Sequence, residues 1–162
     1  MLDEATLSTQ KRGRRIAMTS EEIDAFLSRE RTCRLASLTQ AGGPHVSALW
    51  FAWDGESMWF NSIVKSQRWA GIASDPRAAV IVDGGHDFAE LQGVELRGRL
   101  VPVGEVPRLG ETAIAELEVP ERLFAAKYMT TLGGGMYHDK RHAWLRLTPE
   151  KIASWDFRKI GS

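Results

Sequence analysis

Lys65, Ser66 and Arg68 lie together in the segment VKSQRWAGIAS, residues 64–74. The spacing predicts a short helix over about 66–74, closed by Asp75 and Pro76 because the residue before a proline avoids the helical region. A helix N-terminus offers unpaired backbone N–H groups and a partial positive charge. A hydroxyl at its first turn with a cation on either side makes it a site for an anion. A phosphate held there would gain charge-assisted hydrogen bonds from Arg68, a point charge from Lys65 and a hydroxyl donor from Ser66. The other reading of the two cations is as solvated charges at a helix end.

The elements that must position this site follow from the local patterns. Residues 1–17 read as a mobile basic arm carrying Lys11, Arg12, Arg14 and Arg15. TSEEIDAFLSRE (19–30) reads as a helix, with Thr19 and Glu22 forming a capping box and Ile23, Phe26 and Leu27 on one apolar face. CRLASLT (33–39) is a predicted strand, and PHVSALWFAWDG (44–55) a second. Both faces of that second strand are apolar, Val46, Ala48, Trp50 and Ala52 against Ser47, Leu49, Phe51 and Trp53. Such a strand is covered twice, inside a barrel wall or at a dimer interface. SMWFNS (57–62) returns antiparallel across a tight Asp-Gly turn. RAAVIVD (77–83) and the long LQGVELRGRLVPV (91–103) are further strands, the latter bent at Gly93 and Gly98. Residues 104–132 suggest one or two helices broken by Pro120, and HAWLRLTPEKIASWDFRK (142–159) a last hairpin turning at TPEK. The expected fold is mainly β (α+β): a six- to seven-stranded antiparallel barrel, closed or partly closed, with a few short helices and one domain over 18–160.

Composition excludes several classes. The 162 residues carry 21 basic and 21 acidic side chains, so no global charge draws the protein to nucleic acid or to an anionic membrane. No stretch approaches the roughly 20 apolar residues of a membrane span. The first residues have no apolar core of a secretory signal, so a cytoplasmic protein is expected. The single cysteine, Cys33, forms no internal disulfide and reads as a small core hydrophobe. His138 and His142 are four apart, a ligand spacing on a helix. They stand in a glycine-rich segment leading into a strand, with no third ligand in a matching motif, so no metal site is expected.

The order of these features resembles the split β-barrel flavin-binding superfamily, the pyridoxamine 5'-phosphate oxidase-like fold. That group includes actinobacterial oxidoreductases using FMN or the deazaflavin coenzyme F-420. Gly43, Pro44, Val46 and Trp50 match its first strand motif. Ser66, Arg68, Gly71, Ile72, Asp75, Pro76 and Arg77 match the phosphate-binding segment, and PEKIASWDF (149–157) the closing strand. Arg68 stands where a lysine is usual, and Gly71 where an asparagine is usual. Residues 104–140 exceed what a minimal member needs and have no assigned role.

The resemblance implies an enzyme. Ser66 and Arg68, helped by Lys65, would hold the ribityl phosphate. The backbone of Val46, Ser47 and Ala48 and of Phe60, Asn61 and Ser62 would run along the ring system, with Trp50 as a wall. The group is homodimeric, so Trp155 and Arg158 would approach from the other subunit. The implied reaction is hydride transfer to a flat, unsaturated small molecule, with the hydride chemistry belonging to the cofactor. Tyr128, Tyr137, His138 and His142 are candidates for the proton donor by position only, and each reads first as structural. F-420 is favoured, because its acidic tail suits the basic residues 11–15, with FMN as the alternative cofactor. A pyridoxamine 5'-phosphate oxidase-like protein and a non-catalytic flavin- or haem-binding module are the alternative functions.

Overall fold

The computed structural model describes residues 1–161. Helix α1 (Glu4–Leu7) is followed by α2 (Ser20–Arg29), β1 (Thr32–Leu38), β2 (Pro44–Trp50), β3 (Ala52–Trp53) and β4 (Met58–Ile63). Then come α3 (Gln67–Ser74), β5 (Arg77–Gly84), β6 (Gln92–Val103), α4 (Glu118–Tyr128) and β7 (His142–Asp156). The seven strands form one antiparallel sheet in the order β2-β1-β5-β6-β7-β4-β3.

That order dictates the shape. β2 and β3 lie at opposite ends of the sheet, yet a single residue, Phe51, joins them. The sheet must therefore curl until its two ends meet, leaving a split where β2 faces β4 without a ladder between them. This is the expected split barrel. Residues 44–55, expected as one strand, break at Phe51 because the first part pairs with β1 and the second with β4.

Two further expectations are corrected. Residues 142–156 form one continuous strand, not a hairpin: TPEK contains a β-bulge, where Gly98 opposes Pro149 and Arg97 opposes Lys151. The bulge accommodates a proline that has no N–H for the ladder. Pro120 does not break the helix either, because it lies in the first turn of α4, where a missing N–H costs nothing.

The expected basic arm is docked. Thr9 Oγ1 accepts from the Ile152 N–H at 3.0 Å and lies 3.2 Å from the Ile152 carbonyl, while Gln10 donates to the Ser154 carbonyl at 3.0 Å and accepts from its N–H at 2.9 Å. Leu2 and Met18 join the core.

The barrel interior is filled by α2, whose Ile23, Phe26 and Leu27 meet Cys33, Leu35, Val80, Val82, Val94 and Leu96. The capping box expected for α2 is present, with Thr19 and Glu22 bonded reciprocally at 3.2 and 2.8 Å. A second cluster, Ala52, Trp59, Val103, Leu117, Phe124, Tyr128 and Trp144, seats α4 on the outside of the barrel wall. No helix of the described residues is long and apolar enough to cross a membrane.

Tyr128 closes the curl. Its hydroxyl accepts from the Phe51 N–H at 3.1 Å and lies 2.7 Å from the Arg31 carbonyl and 2.9 Å from the Phe51 carbonyl. Its ring stacks on Trp50, centroids 4.5 Å apart at 8°. A polar backbone group stranded between two strand partners thus finds its bond in one phenol. Tyr128→Phe leaves the buried Phe51 N–H unpaired, so a stability loss of about 1–3 kcal/mol is expected. Thermal unfolding would show it as a drop in Tm of about 2–4 °C per kcal/mol.

Candidate functional site

Helix α3 follows β4 directly and lies against β1. Its axis runs so close to that strand that a Cβ on Gly71 would stand 2.0 Å from the Leu38 carbonyl oxygen. Glycine therefore occupies the position where the family's asparagine was expected, and it sets how deeply the helix is seated.

Seating α3 at this depth drives Arg68 into the split. Its side chain is 5 % exposed. Nη1 donates to Ser62 Oγ of β4 at 2.7 Å, and Nη2 donates to Ser47 Oγ of β2. The guanidinium thus bridges the two strand edges that have no ladder between them. No carboxylate pairs with it among the described residues, and burial lowers its affinity for its proton. Cys33, the charged-state neighbour of Arg68, supplies no counter-charge, because burial pushes its thiol up to about 12. An arginine remains protonated in a protein, so a buried positive charge stands here without a negative one.

The atoms around it tell the same story. Ser66 is the N-cap of α3, yet its hydroxyl makes no capping bond. Ser66 Oγ, Arg68 Nε, Trp69 Nε1, Ser37 Oγ and His45 Nδ1 are buried and lack a hydrogen-bond partner within the chain. All five belong to β1, β2 or the start of α3, and Ser37 and His45 are cross-strand partners. Buried polar atoms are almost always satisfied. An unsatisfied nitrogen on the uncompensated cation itself, with four further unsatisfied atoms on β1, β2 and the start of α3, fits a bound anion with several acceptor oxygens, such as a phosphate.

A cavity of about 510 Å³ opens beside the split. Ala48, Leu49 and Trp50 of β2, Asn61 of β4, and Phe124 and Met129 from α4 and its end line it, with Thr32, Tyr137, Asp139 and His142. Trp50 is 49 % exposed, with one face stacked on Tyr128. Strand alternation puts Ala48 and Asn61 on the opposite face from Ser47 and Ser62.

The residues singled out from sequence therefore fall into groups. Ser47, Ser62 and Arg68 meet in the split, while Ser66 is the N-cap of the same helix, α3, and Lys65 stands exposed just before it. Ala48, Trp50 and Asn61 line the cavity; Val46, 66 % exposed, shares their strand face. The Phe60 side chain lies in the core. Trp155 and Arg158 are elsewhere in this chain. Trp155 lies against Gly93, where a Cβ would come within 2.1 Å of the indole, and Arg158 is paired with Asp156 at 2.7 Å. Of residues 11–15, Lys11 and Arg12 line a separate cavity over β6 and β7. Sequence reasoning missed Phe124, Met129 and Asp139. The apolar turns of 118–129 and the carboxylate three residues before His142 were the available signals.

A family model described as pyridoxamine 5'-phosphate oxidase matches residues 19–156, and the chain belongs to that family. Among solved structures, the conserved hypothetical protein Rv2991 from Mycobacterium tuberculosis is 27% identical, with a TM-score of 0.78 over 94% of both chains. A protein described as F420 reductase is 22% identical, with a TM-score of 0.54 over 80% of this chain and 94% of that one. The haem storage protein HutZ from Vibrio cholerae is 14% identical, with a TM-score of 0.65 over 83% of this chain and 93% of that one. The last two share the fold. No curated protein matches the chain.

Gly71→Ala tests the seating of α3. A helix gains about 1 kcal/mol from alanine over glycine, but overpacking of this kind costs about 1–3 kcal/mol. The clash is with backbone, which cannot swing aside. Net destabilisation is expected in chemical denaturation, together with weakened retention of any anion that Arg68 binds.

Proposed function

We propose that this protein is an oxidoreductase that binds a phosphate-bearing flavin-type cofactor, the deazaflavin F-420 ahead of FMN. It would pass hydride from the reduced cofactor to a small, flat, unsaturated substrate. One observation carries the reading: a buried guanidinium in the split, without a carboxylate, beside an N-cap hydroxyl that makes no bond of its own. The fit of these residues to a phosphate is chemical. Arg68 supplies a charge-assisted donor, Ser66 a hydroxyl, the start of α3 its N–H groups, and Lys65 a nearby charge.

From there the cofactor's ring would extend along β2 into the cavity, against the half-exposed indole of Trp50. The cofactor supplies the hydride chemistry when bound. The chain's own residues position it, exclude water and leave room for a substrate in the cavity that α4 walls. A protein described as F420 reductase shares this fold. A second copy of the chain is the natural cover for Val46, Ala48, Trp50 and Ile63, which form an exposed, largely apolar strip on both sides of the split. In such a homodimer Trp155 and Arg158 of one copy could serve the site of the other. Haem is the second reading: His142 lines the cavity with its Nδ1 held by Asp139, the arrangement that orients a ligating imidazole.

Titration of the purified protein with F-420, FMN and haem decides among these. F-420 binding is expected, seen by fluorescence, with no Soret band from haem. Arg68→Ala is expected to weaken it about 10- to 100-fold, the loss of a charge-assisted contact. Ser66→Ala, whose hydroxyl makes no bond within the chain, is expected to weaken it about 2- to 10-fold with Tm unchanged. Affinity untouched by both substitutions refutes the assignment.

A further inference from the structure

Of the four side chains that stood as candidate proton donors, the structure disposes of two. The Tyr128 hydroxyl is fully engaged at the Phe51 break. His138 faces Glu121 at 3.9 Å, and Glu121 is already held by Arg108 and Trp144. Tyr137 and His142 remain at the cavity, and Tyr137 is 65 % exposed.

His142 is different in kind. It opens β7 opposite Ile63 of β4, so its backbone is fixed by the sheet. Its ring is fixed as well. Asp139 Oδ2 lies 2.7 Å from Nδ1, while Asp139 Oδ1 accepts from the Arg141 and His142 N–H groups at 2.9 and 3.1 Å. One carboxylate oxygen holds the turn and the other aims the imidazole. The turn itself passes through Lys140 at φ +60°, the one non-glycine residue with positive φ among the described residues. That conformation costs about 1 kcal/mol for an ordinary side chain, and it is what folds Asp139 back onto the ring two residues later. With Nδ1 committed to the carboxylate, Nε2 is the nitrogen left to act at the cavity, which His142 lines together with Trp50 and Asn61.

We infer that His142 is the catalytic acid of this site and Asp139 its positioning residue. The inference rests on the reading above, with a reduced deazaflavin or flavin as the hydride source. Hydride adds to one end of the substrate's double bond, and the electron pair it displaces collects at the other end. The Nε2–H bond of the imidazolium breaks, its proton goes to that atom, and its electron pair stays on the ring as neutral imidazole. Asp139 orients the ring and keeps a proton on Nδ1, so that Nε2 is the nitrogen that delivers its proton.

The test uses the full chain with F-420 and FMN as probes. The ring 15N and 13C resonances of His142, identified by their loss in His142→Gln, are expected to report a proton on Nδ1. They are expected to shift when a cofactor saturates the protein, while those of exposed His86 stay in place. In Asp139→Asn the ring proton is expected to redistribute between the two nitrogens with cofactor affinity unchanged. With reduced F-420 as hydride donor and menadione as acceptor, His142→Gln is expected to lower kcat about 100-fold at unchanged KM for the cofactor. Ring resonances that ignore a bound cofactor, or a His142→Gln protein that turns over like the original, overturn the assignment and leave Arg68-dependent binding standing. A protein that binds neither cofactor overturns both.

Discussion

The structure depends on one guanidinium placed where a β-ladder is missing. A curled sheet whose first and last strands are consecutive in the chain must leave a gap beside the crossing point. Here the gap lies between β2 and β4, and Arg68 fills it by donating to one serine on each edge. Moving an unpaired charge out of water costs several kcal/mol even after relaxation. Two hydrogen bonds from the guanidinium to serine hydroxyls, each contributing about 1.5–3 kcal/mol, offset part of that and leave the charge without a counter-ion. An anion seated beside it, as the proposed function requires, would supply the missing counter-charge.

Everything nearby serves to hold that residue at the right depth. Gly71 lets α3 approach β1 until backbone nearly touches backbone, and the Asp75–Pro76 turn feeds the chain straight into β5. On the other side of the split, α4 fixes the strand break at Phe51 through Tyr128 and presents Phe124 and Met129 to the cavity. The helix thereby joins fold to site: it satisfies the backbone where the barrel closes and walls the space in which a substrate would sit.

Much of this was legible in the sequence, and for local reasons. The proposed anion site is a contiguous segment, so its hydroxyl and cations stand together in VKSQR. The capping box of α2 and the alternation in β1 are likewise short-range patterns. What escaped depended on distant partners. The break at Phe51 is invisible in a run of apolar β-formers, because only the sheet order shows that residues 44–50 and 52–53 pair with different strands. Pro149 reads as a turn until β6 is placed opposite it and a bulge absorbs the missing donor. Asp139 and His142 sit in a glycine-rich stretch with no periodicity, and their pairing appears only when β7 fixes the second of them.

The docking of the N-terminal segment has a consequence for one border of the sheet. β4 covers β7 only from His142 to Leu147, so beyond that point one side of the longest strand has no neighbouring strand. Thr9 and Gln10 occupy that side with their side chains, taking both the N–H and the carbonyl of Ile152 and of Ser154. Bare edges of this kind recruit other strands. A chain shortened by its first sixteen residues would keep the barrel and its split but present an open, pairing-competent border, inviting self-association into aggregates.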